Sequence, residues 1–422
     1  MILESLSIPF ILTIFIAGYI GIIFEHYIKI SKSATSLIIA SLCWAFYFMS
    51  NQVPLETDLK SLGHHVSDIS QIIFFLLGAM TMVELVDSHK GFQIITNAIA
   101  TKSLRSLLWI IAGITFFLSG ILDNLTTTIL MISLLKKLIP STKERSLFSC
   151  IVVIAANAGG AWTPIGDVTT TMLWINGQLT SFAVIKSLLI PSIISVLIPL
   201  VYYSYRTKGK CTLPSEKKET KAEPGSKLVF FFGVGGLIFV PIFKSVTGLP
   251  PFMGVLLALG VLWLVTDLIH KDDISRDHLK VAHILNKIDT SSVLFFLGIL
   301  LSVSALQTAG ILNSLSSWLI NDIQSLPLIA TLIGIFSAII DNVPLVAATM
   351  GMYPLTQFPT DHSFWHMIAY AAGTGGSLLI IGSSAGVAMM GMEKMNFITY
   401  MKKATLPVLV GYLAGMGIYL LF

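Results

Sequence analysis

The stretch Asn157-Ala-Gly-Gly-Ala-Trp-Thr-Pro-Ile-Gly-Asp167-Val-Thr-Thr-Thr171 constrains this chain more than any other. It lies inside an apolar run long enough to cross a bilayer, yet it holds three glycines, a proline, an asparagine, four threonines and a carboxylate. In a helix interior a glycine costs about 1 kcal/mol and a proline about 3 kcal/mol. An aspartate near the bilayer centre costs about 2.5–3.5 kcal/mol on insertion scales. Together these predict a broken helix whose freed carbonyls face a polar cavity and not lipid. Breaks of this kind are where transporters bind ions.

The rest of the composition agrees with a membrane setting. Hydrophobic residues make up 55% of the 422 and charged residues 11%, against roughly 25% charged in ordinary globular proteins. The fold class is therefore an all-α polytopic membrane protein, with lipid as its first partner. Glu4 is the only early charge and no basic leader precedes the first apolar run, so residues 8–25 read as a retained span. Cys43, Cys150 and Cys211 form neither a disulfide framework nor a metal-ligand spacing. There is no phosphate-binding loop, no HExxH and no nucleophile elbow. ATP-driven transport, membrane enzymology and a bound cofactor are disfavoured. The net charge of +4 comes from basic loops, so it implies no nucleic-acid partner.

Spanning-length apolar runs fall near 8–25, 34–50, 70–86, 147–175, 184–205, 228–244, 252–269, 291–309, 364–391 and 404–422. Two more, 106–135 and 326–354, are punctured by Asp123-Asn124 and Asp341-Asn342-Val343-Pro344. Read as re-entrant hairpins, with the N-terminus outside, they leave 23 of the 26 lysines and arginines on one side; only Lys60, Lys186 and Lys244 fall elsewhere. That side is cytoplasmic, and both termini are periplasmic. Residues 206–227 form a charged linker between halves at 1–205 and 228–422. The halves match. Ile73-Phe-Phe-Leu-Leu-Gly78 resembles Leu294-Phe-Phe-Leu-Gly298, and Leu122-Asp-Asn-Leu-Thr126 resembles Ile340-Asp-Asn-Val-Pro344. Asn157-Ala-Gly-Gly160 and Gly166 align with Gly373-Thr-Gly-Gly376 and Gly382 at an offset of 216. Five spans plus a hairpin per half make this an inverted repeat, with broken helices at 157–167 and 373–384. Residues 90–105 read as an amphipathic surface helix, with 273–288 as its counterpart.

Two clusters carry the chemistry. The first joins Asp123, Asn124 and Thr126 to Thr128 at one tip with Asn157, Thr163, Asp167, Thr169 and Thr170 at one break. The second joins Asp341 and Asn342 with Thr374, Ser377, Ser383 and Ser384, where Ser383 aligns with Asp167. These are hard oxygen donors, suited to a hard cation. Charge exchange then rests on Asp123, Asp167 and Asp341, with the hard cation held at Asp123, Asn157 and Asp167. Thr128 and Thr171 read instead as hydroxyls bonding back to their own helices. Glu84, Asp87 and His89 close the third span and form a candidate proton-entry or pH-sensing group.

At these residues the chain resembles the NhaD family of bacterial sodium/proton antiporters, within the ion-transporter superfamily of arsenite and dicarboxylate carriers. The motifs are ELVDSHKGF (84–92), LDNLTTTILMISLLKKL (122–138), AANAGGAWTPIGDVTTTMLW (155–174), DNVPLVAATMGMY (341–353) and GTGGSLLIIGSSAGVAMMGMEK (373–394). The resemblance implies exchange of Na+ and Li+ for H+ across a bacterial inner membrane, favoured at alkaline pH. It also implies a homodimer with a scaffold and a mobile transport domain. It assigns ion-site roles to Asp123, Asn124, Asn157, Asp167, Thr169 and Thr170, and in the second half to Ser337, Asn342, Ser377 and Ser383 or Ser384. The rival readings are a sodium-coupled anion carrier or an arsenite-type efflux carrier, which would use the same oxygens for coupling ions, and a passive cation channel.

Overall fold

The computed structural model describes residues 2–50, 54–94, 101, 103–139, 141–207, 209, 223–271 and 274–421. Among these residues the chain is helical throughout, with no extended strand. Seven helices are long and apolar enough to cross a membrane: Lys32–Met49, Leu55–Ser88, Ser181–Arg206, Ser226–Thr247, Pro251–Ile269, Thr290–Thr308 and Phe397–Leu421. The first expected span is the helix Ile2–Ile23. Most of the expected linker at 206–227, and residues 95–100 and 102 of the expected surface helix at 90–105, lie outside the described residues.

Both interrupted helices are broken. The first runs Thr142–Ala161 and resumes at Val168–Ile175. The second runs Ser363–Gly375 and resumes at Ser384–Glu393. Each break starts later than 157 or 373, because Asn157 to Ala161 and Gly373 to Gly375 stay helical. In the first half the cause is Pro164, which lacks an amide hydrogen and keeps the residue before it out of the α region. The side chains of Asp167 and Ser383 then cap the resumed helices, accepting from the backbone N–H of Thr169 and Gly386.

Two further helix pairs meet at the punctured tips. Leu104–Ser119 is followed by Asn124–Leu138, and Leu326–Phe336 by Asn342–Met352. Leu326–Phe336 is itself preceded by Ile311–Ile323, bent 120° from it. That helix stands where the repeat puts the counterpart of residues 90–105. The expected counterpart at 273–288 is instead three single turns, at Ile274–Leu279, Val281–Ile284 and Leu285–Lys287. The third span also begins earlier than expected. Leu55–Ser88 has 34 residues, about 51 Å at 1.5 Å per residue, and its polar first turns (Glu56, Asp58, Lys60, His64) extend beyond a hydrocarbon core about 30 Å thick.

The helices pair in two bodies. In one, Ile2–Ile23 and Thr290–Thr308 pack on Lys32–Met49, while Ser226–Thr247 and Leu55–Ser88 pack on Pro251–Ile269. In the other, Leu104–Ser119 packs on Thr142–Ala161, Leu326–Phe336 on Ser363–Gly375, and Ser181–Arg206 on Leu406–Leu421. A pairing in one half thus recurs in the other. The close approaches recur too. A β-carbon on Gly159 would strike the carbonyl of Phe116, and one on Gly375 would strike the carbonyl of Gly334. Ser119 donates to Ala156 O at 2.6 Å, and Ser337 to Gly334 O at 2.8 Å and Ala372 O at 3.4 Å.

Loops assigned to one side touch one another. Arg145 Nε reaches both carboxylate oxygens of Glu393 at 2.8 and 3.0 Å, and Lys403 donates to Ser146 Oγ at 2.6 Å. Lys90 pairs with Glu223 at 2.7 Å, which holds the Glu223 carboxyl below its ordinary value. On the opposite side Asp361 accepts from the N–H and hydroxyl of Thr180 at 2.7 and 2.8 Å. Lys244 there donates to Trp174 O at 2.7 Å.

Adding a methyl group at Gly375 forces two packed backbones apart, an overpacking cost of about 1–3 kcal/mol. Gly375→Ala should lower the thermal midpoint in detergent, read by fluorescence-detected gel filtration. Gly417→Ala, which meets nothing within 4 Å, should leave the midpoint unchanged.

Candidate ion-binding site

The two broken helices meet next to their breaks. A β-carbon on Gly373 would lie 2.8 Å from Ala161 Cβ and 3.6 Å from Asp167 Oδ2. At this meeting point Asp167 is 2% exposed and Asn157 is fully buried. Asn157 is the hub. Its Oδ1 accepts from Asn124 Nδ2 at 3.1 Å, and its Nδ2 donates to Ser377 Oγ and Ser383 Oγ, both at 2.8 Å. Asp167 Oδ1 accepts from Thr169 N–H at 3.0 Å, while Oδ2 faces two side-chain amides, Asn124 Nδ2 at 3.2 Å and Asn342 Nδ2 at 3.5 Å. Residues from both tips and both breaks thus surround one carboxylate.

Local structure explains why these groups converge. Asp123, Asp167, Asp341 and Ser383 each cap the helix that follows, so four helix N-termini point inward. Their partial positive charge favours an ionised carboxylate. The helices Asn124–Leu138 and Val168–Ile175 carry further buried oxygens. The hydroxyls of Thr127, Thr128 and Thr170 are buried with no hydrogen-bond partner. For Thr128 this replaces the expected bond to its own helix. An orphaned buried hydroxyl is costly.

The other expected residues divide by role. Asp123 caps its own helix, accepting from Thr126 N–H and Thr126 Oγ1, both at 2.8 Å. Its φ of +136° is strained for a side-chain-bearing residue by about 1–3 kcal/mol, which these two bonds offset. Asp341 accepts from Val343 N–H at 3.2 Å and lies 3.7 Å from Lys32 Nζ. Thr163 donates to Gly120 O at 2.6 Å and so pins the break to the tip helix. Ser337 ties the second tip helix to the second broken helix through Ala372 O, as Ser119 does in the first half, and Thr374 bonds back to Tyr370 O at 2.5 Å. Of the serine pair, Ser383 reaches Asn157, whereas half-buried Ser384 opens the next helix. Among the described residues no three His, Cys, Asp or Glu side chains gather at one point; the cluster is amides and hydroxyls around a single carboxylate.

Glu84, Asp87 and His89 stand apart from this cluster. Glu84 accepts from Ser88 Oγ at 3.1 Å, and Lys287 donates to the same hydroxyl at 2.9 Å. Fully buried His89 turns the other way, with Nδ1 on Leu85 O at 2.7 Å and Nε2 on His270 Nε2 at 3.0 Å. A carbonyl only accepts, so His89 carries its proton on Nδ1 and His270 donates to it. Sequence reasoning also missed Ser119, whose signal was available as the repeat mate of Ser337, and Tyr400, which donates to Ser377 O at 2.7 Å.

A family model described as citrate transporter matches residues 19–367. The chain is 52% identical over 408 residues to sodium/proton antiporter 2 of Arabidopsis thaliana, covering 96% of this chain and 97% of the relative. It is 52% identical over 406 residues to sodium/proton antiporter 1 of the same plant, across 70% of that protein's length. It is 30% identical over 444 residues to the Na(+)/H(+) antiporter NhaD of Alkalimonas amylolytica, covering 97% and 89% of the two chains. The paired broken helices and these matches define a multi-pass membrane transporter of the ion-transporter superfamily. Within that class the chain belongs to the NhaD family of sodium/proton antiporters. Its relatives are transporters, not enzymes.

Removing the Asn157 side chain strands Asn124, Ser377 and Ser383 together. Asn157→Ala should cost about 1–3 kcal/mol of stability, read as a lower thermal midpoint in detergent. Ser384→Ala should stay within about 0.5 kcal/mol of the unaltered protein.

Proposed function

We propose that this chain exchanges Na+, and Li+ in its place, for H+ across its membrane, and that Asp167 alternates between the two. The observation that carries this reading is a single buried carboxylate faced by two side-chain amides where two broken helices meet. In the arrangement described, Asn124 and Asn342 turn their N–H groups toward the carboxylate. Rotation of each terminal amide, a soft torsion, presents oxygen instead. A bare carboxylate is therefore stabilised by donors, and a bound Na+ by the same residues as acceptors. Asn157, the threonine hydroxyls and the freed carbonyls supply further oxygen ligands as the ion sheds water. Protonation on the opposite face neutralises Asp167 and releases the ion. An unpaired carboxylate is costly away from water, so the site crosses only when loaded with one or the other.

The tip pairs are re-entrant hairpins in this reading, and the halves are inverted repeats. What supports this is the recurrence of pairings and close contacts between halves, and the mutual contact of loops assigned to one side. Access alternates as the body holding both breaks moves against the body of the flanking helices, in a homodimer. Both termini are external. The basic side faces a bacterial cytoplasm, or the equivalent side of a membrane that inherits the same charge rule, since relatives occur in both bacteria and a plant. The citrate-transporter description favours, as a second reading, a sodium-coupled anion carrier. Uptake of labelled citrate into proteoliposomes separates the two.

Asp167→Asn should abolish Na+- and Li+-driven dequenching of a pH-gradient dye in everted vesicles while the protein still reaches the membrane. Full activity in that variant removes Asp167 from the mechanism. Competition for one carboxylate sets a further expectation. Wherever that carboxylate is mostly protonated, the apparent KM for Na+ should fall about tenfold per unit rise in pH. A KM independent of pH across the active range contradicts shared occupancy.

A further inference from the structure

One cation touches the tip machinery from outside it. Lys32 is the first residue of the helix Lys32–Met49, in the flanking body. A cation there opposes its own helix dipole, and the helix is capped without it, by Ser31 Oγ accepting from Ser33 N–H. The backbone N–H of Lys32 is also accounted for, on Glu25 Oε1 at 3.2 Å. Its ammonium instead reaches across to the other body. It lies 3.7 Å from Asp341 Oδ2 and 4.5 Å above the ring of Phe295. The other oxygen of Asp341 caps the tip helix through Val343. The next residue, Asn342, carries its amide to Asp167. One carboxylate thus holds a flanking-body cation on one oxygen and anchors, through its own helix, an amide of the ion site.

We propose that Lys32 is a tethered counter-cation that competes with the cytoplasmic substrate ion for Asp341, a specificity-setting residue on the entry path. The geometry suits displacement rather than a permanent bond. A direct charge-assisted hydrogen bond is about 2.7–2.9 Å long, and this pair is looser. The side chains of Lys32 and Asp341 are 29% and 18% exposed, so a small cation reaches the carboxylate without unfolding the tip. A Na+ arriving from the basic side takes the ammonium's place on Oδ2, and Lys32 swings into water. The charge at the tip stays balanced through the exchange. The link between the two bodies is cut at the moment a substrate ion enters. The inference rests on the cation-exchange reading and on the orientation proposed with it.

Removing the competitor strengthens cytoplasmic Na+ binding. In everted vesicles Lys32→Gln should lower the apparent KM for Na+ about three- to fivefold, the scale of a part-exposed ion pair. Lys32→Arg should keep KM at or above the unaltered value. Lys32→Cys should behave as Lys32→Gln, and restoring the charge with a 2-aminoethyl thiosulfonate should raise KM again, with the unaltered protein treated in parallel. This comparison also serves if Lys32→Gln fails to accumulate. A lower maximal rate at unchanged KM, or a KM indifferent to restored charge, overturns the proposal and leaves Lys32 a structural residue. If the unaltered protein moves no protons on Na+ addition, the exchange reading fails instead. The proposal then stands or falls on purified protein, where the Na+ concentration giving half-maximal thermal stabilisation should drop by the same factor in Lys32→Gln.

Discussion

The structure depends on keeping one carboxylate ionisable at membrane depth. Asp167 is almost fully buried, and an isolated ion in such a place would neutralise or exclude itself. Everything around it reduces that cost without removing it. The break supplies a helix N-terminus at the carboxylate itself, through Thr169 N–H. The two tips supply amides, which are neutral and reversible donors. A lysine or arginine in their place would fix the charge permanently and, in the proposed exchange, leave nothing for a substrate cation to do. Asn157 then orients one of those amides and ties it to the hydroxyls of the second break.

Comparison of the two halves separates what they share from where they differ. Ser119 and Ser337 hold equivalent backbone carbonyls, and Gly159 and Gly375 permit equivalent backbone approaches. Asp123 and Asp341 cap equivalent tips. The halves part company at the cap of the resumed helix, Asp167 in one and Ser383 in the other. Both side chains perform the same capping task, so stability does not decide between them. A second carboxylate at position 383 would sit beside Asp167 in low dielectric and raise the cost of ionising either. One acid and one hydroxyl leave a single carboxylate between the two tip amides.

This division explains what could be read from the sequence. The breaks were legible because glycine, proline and aspartate at membrane depth have few tolerable conformations, although their starts were placed several residues early: Asn157 to Ala161 continue the helix where glycine allows close packing. The capping by the tip aspartates was not legible. Asp123 and Asp341 have the composition of ion ligands, but a carboxylate at a helix start is equally a cap, and only the backbone geometry shows that Thr126 and Val343 occupy them. Helices with mixed polarity were missed for a related reason. The first turns of Leu55–Ser88 and the whole of Ile311–Ile323 carry no spanning-length apolar signal, and most of their residues are exposed. Long-range pairs such as Arg145 with Glu393, 248 residues apart, leave no local trace at all.

A carrier must also refuse to move when its site is bare, and the arrangement of the two bodies gives that refusal a physical basis. The body holding the breaks is tied within itself by the buried Arg145–Glu393 pair and by backbone-to-backbone glycine contacts, which do not come apart cheaply. Its links to the flanking helices include single polar contacts, Lys32 with Asp341 and Lys244 with Trp174 O, each worth little and each replaceable by water. In the proposed exchange, displacement of one body past the other would break these polar links, and the buried charge on Asp167 would oppose it. Neutralising that charge with Na+ or with a proton would lower the same barrier by the same means, so one carboxylate would serve both ions.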